Sequence, residues 1–472
     1  MTARRDFLKT TALGLAGLSM GTTARGQGRV LGANRRVVLA VIGIRGQGNA
    51  LKRGFARLPG VEIKTLCDVD ENLFPERVND PELADLSTFR PRYEKDLRRV
   101  FEDKDVDAVI VATPNHWHAL ATIWAVQAGK HVFVEKPCSH DLTEGRRMVE
   151  AARRYGKVVQ VGFMNRSRPA VQEAIRFLHD GGIGTVSVAR GLCFKPRPCI
   201  GRYPDGPVAA GEKYRLNLET SDFEPPWDSS YLAKVDYDLW LGPAPIRPFN
   251  RNRFHYNWHW HWDYGNGDIG NQGPHQFDIA RWGLGVTGHP ARVSSSGGLF
   301  EAVETSQETP NMQTALFEYE DGRVLEFAVR GGVTNDEGGQ RIGNLFYGAR
   351  GWLSIDGDGS QWQSYLGRSE EKGPGSAGKA SEGSDPLVHT SLGTAHYQNF
   401  VDAVRDGDPK RLASEIEEGH LSSALPHLAN VAYRSKRTLR FDGKTETFPG
   451  DAEANRLLTR EYREPFRVPE RV

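Results

Sequence analysis

The chain has little cysteine, no excess of charge of either sign, and no apolar run long enough to cross a membrane. Four cysteines are spread over 472 residues. No CxxC pair indicates a structural zinc site, so we predict no metal and treat all four cysteines as structural. Basic and acidic side chains number 61 and 60, a net charge of +1 that gives no electrostatic footprint for nucleic acid. The charged fraction of 26% and the hydrophobic fraction of 38% are typical of a soluble globular protein.

The first residues are similar to a twin-arginine export signal. Arg4 and Arg5 precede Phe-Leu-Lys, and the weakly apolar stretch Thr11–Met20 follows, with small residues around position 23 where cleavage would fall. The apolar stretch is too short to span a bilayer as a stable helix. We therefore expect residues 1–28 to be a signal segment and the protein to be periplasmic or otherwise exported. An oxidising compartment would permit a disulfide between Cys193 and Cys199.

The stretch Val37–Asp70 has the layout of a dinucleotide-binding unit. The apolar β-branched run Val37–Ile42 predicts a buried parallel strand. A glycine cluster follows it, then a helical segment at 49–58, a second strand Val61–Cys67, and Asp68 at the end of that strand. Glycines let the backbone approach a pyrophosphate, the helix N-terminus supplies N–H donors, and the acid receives ribose hydroxyls. These residues predict a nicotinamide dinucleotide site.

The glycine turn departs from the GxGxxG pattern at its second position. Gly43 and Gly48 match the first and third glycines, but Arg45 stands where the second belongs, with Gly46 beside it. This arrangement predicts a shifted turn. Asp68 favours NAD, because it would accept a hydrogen bond from a free ribose 2′-hydroxyl and repel a 2′-phosphate. Arg45 could receive such a phosphate, which leaves NADP open.

The alternation of strands and helices predicts the domain organisation. Strand-like and helical segments alternate to about residue 160, which predicts a doubly wound parallel sheet over residues 36–160. Beyond it, strand-like runs without regular helices predict an α+β domain with a large, mainly antiparallel open sheet over 161–440, including a hairpin at Asp321-Gly322. Residues 367–385 predict a flexible surface loop, and 441–472 a C-terminal tail. We expect the late helices to pack back on the first domain.

Two motifs lie just past predicted parallel strands, at the edge where open α/β sheets bind ligands. They are TPNHWH, residues 113–118, and EKP, residues 135–137. The run VIVATPNHWHALATIWAVQAGKHVFVEKP that contains both resembles the signature region of the glucose–fructose oxidoreductase/inositol dehydrogenase (Gfo/Idh/MocA) family. The resemblance covers most of the chain from Val37 onward. It implies a Rossmann domain followed by a C-terminal α/β domain with an open sheet, and an oxidoreductase activity.

The resemblance implies a role for each matching residue. Lys136 matches the family lysine near the nicotinamide and the substrate hydroxyl, Glu135 the acid beside it, and Pro137 a residue whose peptide bond is often cis. A cation at that place stabilises the alkoxide charge that develops on the reacting alcohol. With the glycine turn, the expected cofactor-binding residues are Gly43, Arg45, Gly46, Gly48, Asp68, Thr113, Pro114, Asn115, His118, Glu135 and Lys136.

A second-domain motif supplies the predicted base. The segment GDIGNQGPHQFD, residues 267–278, is similar to the family's DxGxHxxD segment, in which an acid and a histidine share one helix face. His275 matches the histidine that removes the hydroxyl proton, and Asp278 matches the final acid. Asn271 replaces the family acid, and an amide can orient the imidazole without raising its basicity. The predicted catalytic residues are Lys136, His275 and Asn271.

The stretch NWHWHWDY, residues 257–264, alternates tryptophan and histidine. On a strand its tryptophans would share one face and His259 and His261 the other. Tryptophans stack on sugar rings and histidines hydrogen-bond hydroxyls, so this stretch favours a carbohydrate pocket, although packing or a subunit interface would use the same residues. Two histidines at this spacing lack a closed metal-ligand set. The predicted substrate-binding residues are Lys136, Arg166, Trp260, His261 and Asp278.

Three functions are consistent with these residues. The first is an exported NAD(P)-dependent oxidoreductase that transfers hydride between a sugar, polyol or sugar-derivative hydroxyl and the cofactor. The second is a glycoside hydrolase or lyase that uses tightly held NAD as a recycled redox catalyst. The third is a non-catalytic nucleotide- or sugar-binding protein, which the replacement of the family acid by Asn271 would favour. Because one face of the antiparallel sheet is expected to be exposed, we expect a homo-oligomer, either a dimer or a tetramer.

Overall fold

A computed structural model of the chain describes residues 36–209, 227–300, 304–376 and 393–472. The predicted signal segment 1–28 lies outside these ranges. A continuous apolar run forms a central strand of the first sheet: every residue of Val37–Ile42 is buried, as expected for a strand covered on both faces. All six strands of this sheet are parallel, in the order β3-β2-β1-β4-β5-β6. The predicted doubly wound parallel sheet is confirmed.

The strands of this sheet are β1 Val37–Ile42, β2 Val61–Cys67, β3 Arg92–Glu94, β4 Ala108–Val111, β5 His131–Val134 and β6 Val159–Val161. The helices of this part are Gln47–Ala56, Phe74–Val78, Leu97–Glu102, Asn115–Gln127 and Leu142–Tyr155. Short 3₁₀ helices occupy Glu71–Leu73, Pro81–Leu83 and Met164–Ser167.

The second sheet has nine strands in the order β14-β13-β12-β11-β7-β10-β9-β8-β15. Only the β7–β10 pair is parallel among the described strands, so the sheet is mainly antiparallel, as predicted. Its strands are β7 Val186–Cys193, β8 Arg292–Gly298, β9 Met312–Glu318, β10 Val324–Arg330, β11 Ile342–Gly348, β12 Gly351–Asp356, β13 Trp362–Leu366, β14 Glu371–Gly375 and β15 Leu439–Arg440.

Helices cover one face of the second sheet and reach back to the first. Helix Gly273–Leu284 packs on the sheet, where Phe277 stacks on Phe327 with ring centroids 4.0 Å apart. Helix Ile416–Ser435 packs on helix Leu142–Tyr155, and Tyr397 stacks on Phe55 at 4.7 Å. The described helices of this part are Pro169–His179, Ser229–Leu232, Tyr237–Leu241, Gly267–Asn271, Gly273–Leu284, Thr394–Asp406, Ile416–Ser435 and Ala452–Arg456, with 3₁₀ helices at Asn257–Trp260 and Pro409–Arg411.

One segment leaves the second domain and crosses to the first. Residues 227–264, which we call the roof segment, build a small aromatic core of their own around Trp227, Trp240 and Phe254. The backbone N–H of Asp236 donates to the carbonyl of Val69, just past β2. The roof segment therefore lies over the carboxyl edge of the parallel sheet.

The structure corrects several local expectations. The composition of residues 93–101 favours one helix, but this segment begins in strand β3 and continues as helix Leu97–Glu102. The predicted flexible loop 367–385 contains edge strand β14, Glu371–Gly375, which pairs with β13; residues 377–385 lie outside the described ranges. All four cysteines are free thiols, so the permitted disulfide between Cys193 and Cys199 is not formed. Within the described ranges no helix combines the length and apolar composition needed to cross a bilayer.

Candidate active site

A cavity of about 1050 Å³ opens along the carboxyl edge of the parallel sheet, between that edge, the roof segment and the second sheet. Because strand ends and glycine turns meet at this edge, the predicted residues from distant parts of the chain converge there. The predicted residues that line the cavity are Gly43, Arg45, Gly46, Asp68, Thr113, Pro114, Asn115, His118, Glu135, Lys136, Asn271 and His275.

Two glycines of the turn are required by the backbone, and one faces open space. Gly43 has φ of +83°, and a Cβ there would lie 2.6 Å from the carbonyl oxygen of Ala112. A Cβ on Gly48 would overlap the carbonyl oxygen of Gly43, so Gly48 allows the helix to pack on the turn although it does not line the cavity. Gly46 has no atom within 4 Å of a Cβ position. The turn therefore leaves room for a phosphate at Gly46, directly before helix Gln47–Ala56.

Two acids after β2 carry different partners. Asp68 accepts hydrogen bonds from the backbone N–H groups of Ile44 (2.8 Å) and Asp70 (3.0 Å) and so ties the glycine turn to β2. Burial, reinforced by the charge of Asp70, raises the pKa of Asp68 to about 7. Asp70 is fully buried and accepts from Tyr231 Oη (2.6 Å) and His255 Nε2 (2.8 Å) of the roof segment. Burial opposes its ionisation, but these hydrogen bonds outweigh burial and hold the pKa of Asp70 below its usual value.

Unsatisfied polar atoms along the cavity fit a dinucleotide. The Nε of Arg45 and the Oγ1 of Thr113 are buried and have no hydrogen-bond partner among the described residues. Burial lowers the pKa of Arg45, with Asp68 and Asp70 acting in the opposite direction. Phosphate and ribose oxygens accept from such donors, and Asp68 lies beside them to receive hydroxyls. The residues present therefore suit NAD at this end of the cavity.

His118 joins the two loops that carry the TPN and EKP motifs. Its Nδ1 lies 2.7 Å from the carbonyl oxygen of Pro137 and its Nε2 lies 2.8 Å from that of Thr113. Burial lowers the pKa of His118 to about 4. Glu135 accepts from Gln47 Nε2 at 3.0 Å, which connects the EKP loop to the glycine turn. These contacts hold the Lys136–Pro137 peptide, which is cis, at the base of the cavity.

Lys136 and the second-domain motif meet at the other end of the cavity. The Nζ of Lys136 donates to the backbone carbonyl of Asn271 at 2.9 Å, and His275 lies at the start of the next helix, Gly273–Leu284. Burial lowers the pKa of Lys136, and the charge of Glu135 acts against that effect. The three predicted catalytic residues, from two domains, thus line the same cavity.

Four residues predicted to bind substrate do not line the cavity. Arg166 and Asp278 form a buried ion pair, with Nε to Oδ2 at 2.8 Å, because each needs a partner once it is excluded from water. The Arg197 guanidinium lies over the ring of Trp260, 5.2 Å from the ring centroid. The Nε2 of His261 contacts the carbonyl oxygen of Asn252 at 3.0 Å. These contacts hold the four side chains outside the cavity lining, and their substrate role stays a prediction.

The alternating stretch contributes two other residues instead. Residues Asn257–Trp260 form a 3₁₀ helix, so their side chains do not alternate between two faces as they would on a strand. Trp258 and His259 of this stretch line the cavity together with Tyr256 and His255, and none of the four is among the predicted substrate-binding residues. Only the density of aromatic and histidine residues pointed to this segment. The direction of each side chain depends on a local turn. In this turn the backbone N–H of His259 donates to the carbonyl of Tyr256, and that of His261 donates to the carbonyl of Trp258.

Comparisons with known proteins agree with this architecture. Residues 37–163 match the family model described as the NAD-binding Rossmann fold of an oxidoreductase family, Gfo/Idh/MocA. Residues 228–327 and 388–468 match the model of that family's C-terminal alpha/beta domain. The chain belongs to the Gfo/Idh/MocA oxidoreductase family. The predicted family, fold and nicotinamide cofactor are confirmed.

Individual relatives match parts of the chain. A levoglucosan dehydrogenase of Pseudarthrobacter phenanthrenivorans is 38% identical over 114 residues, 24% of this chain and 29% of that protein. A glycosyl hydrolase family 109 protein of Saccharopolyspora erythraea is 32% identical over 211 residues, 40% of this chain and 45% of that protein. The matched segments therefore span less than half of these relatives. A solved levoglucosan dehydrogenase complex with NADH and levoglucosan has the same fold, with a TM-score of 0.62, 16% identity, and coverage of 86% and 99% of the two chains.

Proposed function

We propose that this protein is an NAD-dependent oxidoreductase that oxidises a hydroxyl of a sugar, polyol or sugar derivative. The observation that carries the proposal is the contact between Lys136 Nζ and the Asn271 carbonyl in a cavity that His275 also lines and that fits a dinucleotide. A cation and an imidazole that line one cavity suit a reaction that removes a proton and a hydride from the same carbinol.

Each residue has a defined task in this proposal. NAD, when bound, supplies the acceptor for the hydride of the carbinol carbon. The glycine turn with Asp68 holds the nucleotide, and Glu135 fixes the EKP loop against that turn through Gln47. Lys136 stabilises the negative charge on the reacting oxygen, and His275 accepts its proton. Asn271 anchors the lysine through its backbone carbonyl, so the loss of the family acid leaves the lysine held in place.

The test uses the full-length protein with whatever nucleotide it carries. Denaturation releases and identifies that nucleotide, and a panel of sugars and polyols is scanned for absorbance at 340 nm and for oxidised product by mass spectrometry. We expect the released nucleotide to be NAD, and we expect at least one class of sugar to reduce it. A nucleotide bound without any redox change across the panel would overturn the proposal and favour the non-catalytic binding protein.

A second candidate is redox-assisted glycoside cleavage with NAD as a recycled catalyst. It is favoured by the 32% identical glycosyl hydrolase family 109 relative and by the roof segment over the nucleotide end of the cavity. Transient oxidation of a sugar carbon acidifies the neighbouring C–H and permits elimination of the glycosidic substituent. Release of the phenol from aryl glycosides without accumulation of NADH would select this function over net oxidation.

We also propose that the protein is exported by the twin-arginine route. The support is Arg4-Arg5 followed by Phe-Leu-Lys and a short apolar stretch. Fractionation of cells that express the chain or its Arg4→Lys/Arg5→Lys variant tests the proposal. We expect the unchanged chain outside the cytoplasm and the variant retained within it; equal distribution of the two would contradict export by this route.

We further propose a homo-oligomer formed through the outer face of the nine-stranded sheet. This face carries the stacked pair Trp352 and Tyr365, with ring centroids 4.2 Å apart, and the partly exposed Tyr347. Size-exclusion chromatography with light scattering gives the assembly. We expect a dimer or tetramer that Tyr347→Arg weakens, and a monomer at micromolar concentration would contradict the assembly.

A further inference from the structure

His259 is held rigidly at the cavity wall. Its ring stacks on Trp258 with centroids 3.6 Å apart and an interplanar angle of 21°. Its Nδ1 lies 2.6 Å from the carbonyl oxygen of Tyr256. A Cβ on Gly265 would lie 2.6 Å from the His259 Cα, so the following chain packs directly against its backbone. The imidazole is therefore fixed in position before any substrate arrives.

The contact with Tyr256 also fixes the tautomer. A carbonyl oxygen only accepts hydrogen bonds, so Nδ1 carries the hydrogen and Nε2 carries the lone pair. Burial lowers the pKa of His259 to about 3, which keeps the ring neutral near pH 7. No described residue forms a hydrogen bond with Nε2. This atom is also not one of the buried side-chain atoms that lack a partner, so it is accessible, and His259 lines the cavity. The cavity is therefore where Nε2 presents its lone pair.

The place of this acceptor matters because of its neighbours. His259 and Lys136 line the same cavity, and after burial the charge of Lys136 is one of the causes that lower the pKa of His259. The lysine donates to the carbonyl of Asn271 and cannot accept a hydrogen bond from the substrate, whereas the imidazole Nε2 can accept one. A neutral imidazole with so low a pKa is a weak base but a good acceptor.

We propose that His259 Nε2 accepts a hydrogen bond from a hydroxyl of the substrate other than the one that is oxidised, and thereby selects substrates that carry a hydroxyl at that position. The proposal rests on the proposed function. It assigns a specificity-determining role to a residue outside the lysine and histidine motifs. A ring that served packing alone would leave the lone pair of Nε2 at the cavity wall without a hydrogen-bond donor.

The test compares hydroxyl deletion with imidazole deletion. The sugar that best reduces the bound NAD is assayed with its monodeoxy analogues on the unchanged protein, His259→Phe and His259→Gln. We expect one deoxy analogue to lose about tenfold or more in kcat/KM, the value of one lost hydrogen bond of about 1.4 kcal/mol. His259→Phe should lose a similar factor with the parent sugar, mainly through KM, and lose nothing further with that analogue. His259→Gln should recover part of the activity because its amide oxygen accepts.

Nucleotide content and melting temperature establish that each variant is folded, and His179→Gln, at the end of helix Pro169–His179, is the matched control. Unchanged kcat/KM in His259→Phe, or losses that multiply with every deoxy analogue, would overturn the proposal. If no sugar reduces NAD, the proposed function fails separately. Binding of the same panel, measured by tryptophan fluorescence, then tests the role of His259. Equal affinities of the unchanged protein and His259→Phe would overturn the proposed role. Weaker binding by His259→Phe that His259→Gln restores would support it.

Discussion

Lys136 is the residue whose replacement should separate chemistry from nucleotide binding. Its ammonium contacts a carbonyl of the second domain at 2.9 Å and not the glycine turn. We expect Lys136→Met to lower kcat by about 10²- to 10³-fold, the range for loss of one group that stabilises transition-state charge. Bound NAD should remain, as measured by nucleotide release on denaturation. The control is Lys410→Met at an exposed lysine remote from the cavity. Full turnover in Lys136→Met would remove this lysine from the mechanism.

Asp68 makes nucleotide binding depend on pH. Its folded-state pKa of about 7 is raised above the unfolded value, so in nucleotide-free protein its contribution to stability is fully present below about pH 4 and lost as the pH rises through 7. The ionised form is the better acceptor for ribose hydroxyls, so NAD affinity should rise with pH. The ionised fraction grows about tenfold from pH 6 to pH 8, and we expect the affinity to follow it.

Calorimetric titration of nucleotide-free protein with NAD at pH 6, 7 and 8 measures this dependence. The cavity histidines His118 and His255 have a pKa lowered to about 4, so they stay neutral over this range and do not contribute. Asp68→Asn should bind more weakly and with a flat profile. The same slope in Asp68→Asn would assign the titration to another group.

At the scale of elements, the glycine turn offers a matched pair of substitutions. Gly48→Ala would place a methyl group into the carbonyl oxygen of Gly43, whereas Gly46→Ala meets no atom within 4 Å. We expect Gly48→Ala to destabilise the protein by about 1–3 kcal/mol or more and to lose NAD. Gly46→Ala should keep the melting temperature and weaken only NAD, because its methyl group enters the cavity. Equal melting temperatures for both variants would contradict the close packing at Gly48.

Element prediction succeeded where burial alone decides the conformation. The strands Val37–Ile42 and Val61–Cys67 have the predicted bounds because apolar residues bounded by turn residues form buried strands at these places. Strands β8, RVSSSGG, and β14, EKGPG, carry serine, glycine or proline and were not predicted. Their pairing comes from neighbours distant in sequence, which local propensity does not encode.

The site divides in the same way. The glycine turn, Asp68 and the EKP lysine were predictable because each follows a recognisable strand, and strand ends converge at one edge. The ion pair of Arg166 and Asp278 was not predicted, because their sequence context does not reveal that each neutralises the other. His259 was passed over for His261 because a 3₁₀ turn, which tertiary contacts stabilise, replaces the alternation of a strand.

At the scale of the whole molecule, we expect the roof segment to slow the release of the nucleotide. Asp70 at the sheet edge accepts from Tyr231 and His255, which join the two domains over the cavity. We expect Tyr231→Phe to speed NAD release about tenfold or more, because a hydrogen bond to a buried carboxylate is worth about 1.5–3 kcal/mol. Nucleotide retained after gel filtration measures the release.

The matched control is Tyr237→Phe, whose hydroxyl donates to Pro248 inside the same segment. This variant should keep its nucleotide. Equal retention by Tyr231→Phe and the unchanged protein would show that nucleotide leaves by a route the roof segment does not close.

The cores on both faces of the parallel sheet are completed by residues from the end of the chain. Tyr397 and Phe400 belong to one core, beside Phe55, and Phe466 belongs to the other, beside Trp117. When the ribosome has translated the last strand of this sheet, none of these late residues exists yet. The two cores of the nucleotide domain are therefore incomplete until these residues have been synthesised. We expect NAD to load only after that point, and a truncation that removes Phe466 to weaken the packing of the nucleotide domain.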